Sequence, residues 1–507
     1  MTPHRTSRRV LALFIVLLPL LSRIGWPPRV EAGPLTFAVT ITTDAPDATP
    51  GDGQCASTLP GGACTLRAAV QEANALPLGS TVHVTLPAGH YLLTSGELDL
   101  ITNTVIISGT GAGTTRIDAG GASRILQIFP RSSVGLVLLT ITGGKPTGAN
   151  EQGGVILNHG SLALLGTSIQ GNTATSGGGL SNGADGTVAV GGSVFSRNTS
   201  VSNGSGGGLS NDGGQMSVAN SAVIRNTGGS GGGTMTMTNS SIRGNSATGY
   251  GGGLDTTGSG AMTVSNSAVI SNSATTGGGG LDVGAFGMMT VTNSTVSGNS
   301  AGSQGGGLSN DFNGTMTVAN SAVSGNSAGS QGGGLFNSAG VIVVTNTTIN
   351  GNRAVTGAGV FSLGLCCHPS SVALAYTTVS GNMAASQGGG LDTGPGGMII
   401  ITGTILTSNT PTNCADTLPT EGQGHNLDSS ASCGLAQPTD LSTTNPLLGP
   451  LQNNGGPTPT QALLPGSPAI DHGGSRATGC PATDQRGVSR PQGPACDIGA
   501  FERALSR

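Results

Sequence analysis

The chain has 507 residues and a formal net charge of −4, and it contains 91 glycines but only 8% charged and 3% aromatic residues. This composition is extreme for a globular enzyme, and the shortage of Lys and Arg argues against nucleic acid or an anionic membrane as a partner. A regular sequence period, built around Val, Ile, Leu and Met, argues against a disordered chain.

The amino terminus, residues 1–32, is predicted to be a signal peptide. Arg5, Arg8 and Arg9 precede the apolar run Val10–Leu21, and Val30-Glu31-Ala32 is typical of a small-residue cleavage site. The apolar run is short for a membrane span, although a retained anchor is the alternative. We therefore expect an exported protein, secreted or held at the cell surface, that has no membrane span after the signal peptide is cleaved.

Residues 33–130 are predicted to contain an N-terminal cap and the first coils of a repeat structure. Leu66, Ala69, Val70 and Ala73 recur at the spacing of one helix face. The segment is therefore predicted to be a short amphipathic helix that lies over the first coil.

Residues 131–410 are predicted to form stacked repeats. Between residues 254 and 335 one phrase returns every 27 residues, with Leu in one register and Asn in another. The two sets are Leu254, Leu281, Leu308 and Leu335, and Asn239, Asn266, Asn293 and Asn320. A repeat of this length that is built from strand-forming residues and glycine indicates a solenoid.

Each repeat is predicted to contain three short strands and three corners. Met262 and Val264 show the alternation of a strand with one buried face. The Asn-Ser pair that follows is expected to make a left-handed corner, with each Asn amide bonded to the Asn stacked in the next coil. A second Asn row and a Gly-Gly-Gly triplet provide the other corners. The second row contains Asn245, Asn272, Asn299 and Asn326.

Three strands and three corners describe one coil of an all-β, right-handed parallel β-helix, and the hand follows from the usual crossover preference. About ten coils spaced roughly 4.8 Å apart would form a rod on the order of 50 Å long. Two repeats are irregular. Asn220 to Asn239 spans only 19 residues, which predicts a coil that has lost a side or a turn, and Asn352 to Asn382 spans 30, which predicts an insertion.

The eight cysteines of an exported chain favour disulfides. Proximity in the sequence predicts three pairs outside the regular coils: Cys55 with Cys64, Cys414 with Cys433, and Cys480 with Cys496. Cys366-Cys367-His368 is interpreted as a vicinal disulfide or loop thiols rather than a metal site, because adjacent cysteines rarely face one ion.

Both ends resemble known families. Cys64-Thr65-Leu66-Arg67-Ala68-Ala69 resembles the CSLREA motif, which marks a group of exported bacterial β-helix proteins. Residues 411–507 contain Asn454-Gly455-Gly456-Pro457 and Cys496-Asp497-Ile498-Gly499-Ala500-Phe501, and are similar to the choice-of-anchor Q domain. The repeats more loosely resemble those of polymorphic outer-membrane proteins. These resemblances imply a pectate-lyase-like solenoid with an N-terminal helical cap and an irregular C-terminal cap.

Asp255 and Asp282 are the weak candidates for catalysis, because they follow the coil Leu in neighbouring repeats, with Asp392 further along the same register. Carboxylates about 5 Å apart would suit a retaining glycosidase or a Ca²⁺ site, and pectate-lyase-like enzymes place acids on one external strand. The favoured interpretation is plain turn residues, since Ser210 and Ser309 take the same position elsewhere. A lyase would also need a basic group beside the acids, and Arg197 and Arg225 are expected on another side of the coil.

Other candidate sites have structural interpretations. Asp484, Arg486, Asp497 and Glu502 are predicted to form an ion-pair cluster that fixes the C-terminal module, with a Ca²⁺ site or a partner contact as the alternatives. The scattered histidines lack metal-ligand spacing and are interpreted as surface or turn residues. They are His83, His90, His159, His425 and His472.

The favoured function is a non-enzymatic surface or extracellular rod for adhesion, with a surface glycan or a cell-envelope component as partner. A polysaccharide lyase or glycoside hydrolase on the β-helix face is the first alternative, and a structural envelope spacer is the second. No cofactor is expected beyond the Ca²⁺ considered for the acids.

Overall fold

The computed structural model describes residues 35–147, 151–201, 206–228, 233–256, 258–365, 368–415 and 420–504. The predicted signal peptide and the Cys366-Cys367 pair lie outside these residues. In the described part every long sheet is parallel, and successive strands of one sheet come from successive turns of the chain. The prediction of an all-β parallel β-helix is therefore confirmed.

The first long sheet, sheet 1, contains the Met- and Val-bearing strands. Its 15 strands are Leu35–Ala38, Thr81–Thr85, Thr104–Ser108, Ser133–Val137, Ser161–Leu165, Thr187–Gly191, Gln215–Ala219, Thr234–Thr238, Ala261–Ser265, Met288–Thr292, Thr315–Ala319, Val341–Thr345, Ser370–Ala375, Gly397–Thr402 and Thr420–Gly422. Met262 and Val264 are buried as the alternation predicts, and the residues on either side of them are more exposed.

Sheet 2 follows sheet 1 in each coil and also contains 15 strands. They are Gly89–Leu92, Thr115–Asp118, Thr140–Thr142, Ser168–Gln170, Val194–Ser196, Ala222–Ile224, Ser241–Arg243, Ala268–Ile270, Thr295–Ser297, Ala322–Ser324, Thr348–Asn350, Thr378–Ser380, Ile405–Thr407, Leu427–Asp428 and Leu441–Ser442. Fifteen strands span roughly 70 Å. The estimate of about ten coils was too low, because irregular segments at both ends also contribute coils.

A sheet of very short strands, sheet 3, follows sheet 2 in the coil and was not predicted. Its strands form two blocks, which are Thr173–Ala174 and Thr199–Ser200, and then Ser246–Ala247, Ser273–Ala274, Ser300–Ala301, Ser327–Ala328, Arg353–Thr356 and Met383–Gln387. A complete coil therefore has four strands rather than three. Two residues are too few to show a period of two, so the Ser-Ala strand gives no recognisable pattern in the sequence.

Sheet 4 carries the coil Leu and is divided into two blocks. The blocks are Leu98–Leu100, Leu126–Ile128, Ile156–Asn158, Leu180–Asn182 and Leu209–Asn211, and then Leu254–Thr256, Leu281–Val283, Leu308–Asn310, Leu335–Ser338, Val360–Leu363 and Leu391–Thr393. Leu254 pairs with Leu281, Leu281 with Leu308, and Leu308 with Leu335, which confirms the predicted column.

The two irregular repeats lie where the sequence predicted them. Among the described residues of the 19-residue repeat none belongs to a sheet 4 strand, so this coil has lost a side. The 30-residue repeat is enlarged at residues 364–369, where Leu365 and His368 form an antiparallel bridge. The insertion therefore widens one turn, and the sheet 1 and sheet 4 strands on either side of it stay paired, while the sheet 3 pair of Arg353–Thr356 with Met383–Gln387 has a register shift.

The two Asn rows have different roles, and the prediction assigned the stacked amides to the wrong row. Asn239, Asn266 and Asn293 are left-handed (φ 49° each), as expected for the corner between sheets 1 and 2. Their amides do not form the ladder, because Asn239 and Asn266 point into solvent. The ladder belongs to the second row, at the corner between sheets 2 and 3, where the side chains are buried.

In this buried ladder each Asn binds the next one twice. The side-chain Oδ1 accepts from the Nδ2 of the preceding Asn at 2.8–3.0 Å and from its backbone N at 2.9–3.2 Å. The ladder runs through Asn172, Asn198, Asn226, Asn245, Asn272, Asn299, Asn326, Asn352, Asn382, Asn409 and Asn413. It satisfies buried backbone groups at a corner where no sheet ladder can reach them.

The N-terminal end of the rod is closed by helix α1, Leu66–Ala75, as predicted. The Thr65 hydroxyl caps the helix by accepting from the Ala68 N–H at 3.0 Å. Leu66, Ala69, Val70 and Ala73 are buried together against the first coils. No helix among the described residues is both long enough and apolar enough to cross a membrane.

All three predicted disulfides are present. The Cα–Cα distances are 5.0 Å for Cys55–Cys64, 4.9 Å for Cys414–Cys433 and 6.6 Å for Cys480–Cys496. They lie in the irregular segments at the two ends, where the stack contributes fewer backbone hydrogen bonds, and they shorten the loops that must be ordered there.

The C-terminal segment, residues 444–504, folds back along the outside of the rod. It contains one antiparallel hairpin, Leu448–Gln452 with Thr460–Leu463, and one 3₁₀ turn, Arg476–Thr478. Arg486 pairs with Asp484 at 2.7 Å, and the Asp484 carboxylate also accepts from the Glu502 N–H. The contacts match the ion-pair interpretation of this cluster.

The sequence analysis missed the central cation of this cluster. Arg490 is 1% exposed, lies 3.7 Å from the Glu502 carboxylate and donates to the Asp497 and Gly499 carbonyls. Its guanidinium also lies over the Tyr376 ring of the rod, 5.1 Å from the ring centre. The buried charge therefore joins the C-terminal segment to the β-helix.

Replacing Asn299 by Ala tests the ladder. The change leaves the N–H and Nδ2 of Asn272 without their shared acceptor, so we expect the free energy of unfolding to fall by about 2–4 kcal/mol. Urea unfolding followed by circular dichroism measures this. The matched control is Asn293→Gly, which removes a carboxamide from the other row and keeps the left-handed corner. An equal loss in both variants would contradict the assignment of the ladder.

Candidate functional site

The candidate acids occupy the second position of the sheet 4 strands. Leu254 and Thr256 flank Asp255, and the alternation of a strand places Asp255 on the opposite face from both of them. Its side chain is nevertheless buried, because it lies against the first glycine of the preceding triplet. A Cβ added to Gly251, which has φ +60°, would lie 2.4 Å from the Asp255 Cβ.

The position equivalent to Asp255 differs from coil to coil. The row is Ser181, Ser210, Asp255, Asp282, Ser309, Phe336, Phe361 and Asp392. These eight positions are buried, so this part of the row forms a thin layer outside the sheet, whereas the same register continues through Leu157 and Gln127 to Asp99, which is exposed.

Asp255 and Asp282 are register partners and their carboxyl groups are hydrogen-bonded to each other. Burial, strengthened by the charge of Asp311, raises the pKa of Asp255 to about 7. Burial and the carboxyl groups of Asp255 and Asp311 raise the pKa of Asp282 well above its ordinary value. A hydrogen bond between two carboxyl groups needs a proton on one of them, and the stronger rise at Asp282 makes Asp282 the donor and Asp255 the acceptor of this shared proton.

Asp311 is a further member of this acid cluster, and burial raises its pKa to about 6. Burial and the charges of Asp311 and Asp282 also raise the pKa of the Tyr250 hydroxyl. No Arg, Lys or His contributes to the pKa of any of the three acids. The basic group that lyase chemistry would need is not beside them.

The geometry gives the acid pair no access to a substrate. Asp255 is 3% exposed and Asp282 is 2% exposed, so no sugar ring can be placed between their carboxyl groups without opening the Gly corner. The part of the chain that the structure describes contains no group of three or more acidic, His or Cys side chains arranged to hold a metal ion. Neither glycosidase nor Ca²⁺ chemistry gains support from this arrangement.

Asp392 is separated from the pair. Phe336 and Phe361 occupy the intervening positions of the row, and their rings stack with their centres 6.0 Å apart. Burial raises the pKa of Asp392 to about 6, while the Thr393 N–H donates to its carboxylate at 2.8 Å. The three acids that share a register therefore do not form one site.

An aromatic patch near these acids, exposed at Phe286 and half-buried at Phe312 and His368, was missed by the sequence analysis. It consists of Phe286, Phe312 and His368. The ring centres of Phe286 and Phe312 are 6.1 Å apart in an edge-to-face arrangement, and the centres of the Phe312 and His368 rings are 4.5 Å apart. Phe286 is 60% exposed. Asp311, the residue before Phe312, connects the patch to the acid cluster.

The patch is built by turns stacked at the corner between sheets 4 and 1. The Phe286 N–H donates to the Phe312 carbonyl at 3.0 Å, so these two turns are in register. His368 comes from the enlarged turn of the 30-residue repeat. A signal was present in the sequence, because both phenylalanines follow a sheet 4 strand.

Replacing Asp282 by Asn tests the shared proton. The raised pKa values mean that the folded chain binds more protons than the unfolded chain. The stability that comes from protonating these acids is therefore complete below about pH 4 and is lost as pH rises through 7. The Asn amide can still donate to Asp255 without titrating. We expect the difference in the free energy of unfolding between the variant and the wild type to shift by about 1–3 kcal/mol in favour of the variant from pH 5 to pH 8. Urea unfolding at the two pH values measures this difference.

Asp185→Asn is the control, since Asp185 is exposed and lies outside the cluster. Equal pH dependence of the wild type and the Asp282 variant would show that the two carboxyl groups do not share a proton.

No family model matches the chain, and no curated protein matches it. Among solved structures it is similar to the crystal structure of the pectate lyase Pel9A, with 16% identity over 93% of this chain and 98% of that chain and a TM-score of 0.32.

Proposed function

We propose that this chain is an exported, non-enzymatic β-helix rod that binds a surface glycan or another cell-envelope component outside the cell. The observation that carries the proposal is the aromatic patch of Phe286, Phe312 and His368. Aromatic and apolar groups that remain exposed on an otherwise polar surface mark places of contact with a partner. Met288, which is 55% exposed, extends the apolar character of this region.

Export is supported by the chemistry of the cysteines. Disulfides persist in oxidising compartments, and three pairs at the two ends of the rod suit a secreted or cell-surface protein. The predicted signal peptide and the resemblances to CSLREA proteins and to the choice-of-anchor Q domain agree with this location.

A binding role is favoured over polysaccharide cleavage by the state of the acids. Asp255 and Asp282 are covered, share a proton and have no cationic neighbour, whereas a glycosidase needs one acid and one carboxylate that both face the scissile bond. The aromatic patch needs no such arrangement, because stacking contact requires only an accessible ring.

The proposal is tested with a glycan array and with binding to intact bacterial cell walls, using the chain without its signal peptide. Saturable binding is expected, and Phe286→Ala with Phe312→Ala is expected to weaken it at least tenfold because the ring surface is lost. Leu78→Ala is the matched control, since Leu78 is 81% exposed and lies far along the chain from the patch.

The alternative of an enzyme is tested on the same protein. Incubation with a panel of polysaccharides is expected to release neither reducing nor unsaturated sugars. Release that disappears in Asp255→Asn or Asp282→Asn would overturn the proposal in favour of an enzyme, and the absence of any saturable binding would favour a structural spacer.

A further inference from the structure

A second surface lies at the corner between sheets 1 and 2, at the other edge of sheet 1 from the aromatic patch. It is an open groove with a volume of about 470 Å³ that crosses successive coils. Asn220, Asn239, Asn266 and Asn293 line it, and Pro457 of the C-terminal segment contributes to the lining. No charged residue lines the groove, so its chemistry is that of carboxamides, hydroxyls and small apolar side chains.

These asparagines belong to one left-handed row, which we call the corner row. Its members are Leu138, Gly166, Gly192, Asn220, Asn239, Asn266, Asn293, Asn320, Asn346, Tyr376, Gly403 and His425, with φ between 47° and 58°. A left-handed residue at a corner directs its side chain outward, and neighbouring members lie roughly 4.8 Å apart. The row therefore presents an ordered series of side chains along the outside of the rod.

The C-terminal segment of the same chain already lies on one half of this row. Its contacts are made to backbone groups or side chains of successive members. They are Thr458 Oγ1 to the Asn320 carbonyl at 3.1 Å, Asn346 Nδ2 to the Thr483 carbonyl at 2.8 Å, the Tyr376 hydroxyl to the Gly473 carbonyl, the Gly499 N–H to the Gly403 carbonyl at 2.8 Å, and His425 Nδ1 with the His472 carbonyl at 2.8 Å. In three of these five contacts a side chain of the corner row meets a peptide carbonyl of the C-terminal segment.

The burial of the corner-row side chains follows their coverage by the C-terminal segment. Asn346 is 3% exposed where the segment covers it, Asn293 and Asn320 are half-buried at the edge, and Asn239 and Asn266 are exposed. In the described part of the chain no hydrogen-bond partner is found for the side chains of Asn239 and Asn266. The groove is thus the uncovered continuation of a surface that binds polypeptide elsewhere in the same molecule.

We propose that this uncovered half of the corner row binds an extended, uncharged peptide of a partner protein, rich in Gly, Pro and Thr. The composition of the peptide is inferred from the part of the C-terminal segment that reaches the groove, Gly455-Gly456-Pro457-Thr458-Pro459-Thr460. The Nδ2 groups of the exposed asparagines are donors for peptide carbonyls, as Asn346 is for Thr483. The lack of charge in the lining suits a neutral ligand.

The spacing of the row suits a polyproline II conformation. Three residues of such a helix rise about 9.3 Å, close to roughly 9.6 Å for two coils. A proline-rich peptide can therefore bring equivalent carbonyls to every second Asn of the row. Its backbone is already extended in solution, so less conformational entropy is lost when it binds.

The test uses a fluorescein-labelled peptide that copies residues 453–462, added to the chain without its signal peptide. Fluorescence anisotropy is expected to show saturable binding. Asn239→Gly with Asn266→Gly is expected to weaken binding at least tenfold, because the carboxamides are removed. Glycine is compatible with the fold here, since Gly166, Gly192 and Gly403 occupy other corners of the row. Unchanged thermal unfolding and circular dichroism check that the variant is folded.

Two further variants make the result specific. Asn313→Gly removes an exposed left-handed Asn outside the groove and is expected to leave binding unchanged. Ala268→Arg places a long side chain in the groove without altering a left-handed residue, and it is expected to abolish binding.

The outcomes separate this inference from the proposed glycan-binding function. Phe286→Ala with Phe312→Ala is expected to leave peptide binding unchanged, because the two surfaces lie at opposite edges of sheet 1. The inference would be overturned if the peptide does not bind, or if it binds equally well to the variant with both Asn→Gly changes. Neither outcome would affect the result of the glycan-binding experiment. A neutral oligosaccharide that binds here instead, and loses affinity in the Asn→Gly variant, would also overturn it.

Discussion

The structure depends on the buried asparagine ladder at the corner between sheets 2 and 3. A chain that turns sharply every few residues leaves backbone N–H groups that no sheet can pair. Each Asn of the ladder accepts both the backbone N–H and the side-chain N–H of its neighbour, and donates to a core carbonyl such as Val269 O. Because every bond of the ladder from Asn172 to Asn409 joins one coil to another, the ladder requires equivalent residues to stack directly over each other.

This stacking requirement explains the composition. Side chains at the Gly-Gly-Gly corner are excluded because neighbouring backbones approach closely, and a Cβ on Gly252 would lie within 2.4 Å of two carbonyl oxygens of adjacent coils. The core needs only one or two apolar residues per strand, which keeps the aromatic and charged content low. A rod of this kind has a narrow core and a large surface, so contact surfaces are more readily formed than deep pockets.

The same geometry decides which side chains are available for function. Asp255 and Asp282 follow the coil Leu in adjacent coils, but the glycine corner covers them, and they become a proton-sharing pair inside the protein. Phe286 and Phe312 lie on turns outside the sheets, where Phe286 is exposed and Phe312 is half-buried against His368. The corner row is divided by the C-terminal segment, which buries Asn346 and leaves Asn239 exposed.

Much of the architecture was determined by local sequence. The 27-residue register placed Leu254 over Leu281, the Met-Val alternation identified sheet 1, and the short spacing of cysteine pairs identified all three disulfides. These features depend on contacts between equivalent positions of neighbouring coils, so the period of the sequence is sufficient to predict them. The Ser-Ala strand of sheet 3 was missed because two residues carry no periodic signal.

Only the tertiary structure decided which Asn row forms the ladder, since the two rows share the same letter and period and are distinguished by their backbone conformation and burial. It also placed residues from distant segments together, as in the contact between Asn346 and Thr483, 137 residues apart, and the packing of Arg490 against Tyr376. The assembly of the aromatic patch from three turns is of the same kind. Such contacts depend on how an irregular segment packs against a regular one, and no period in the sequence encodes that packing.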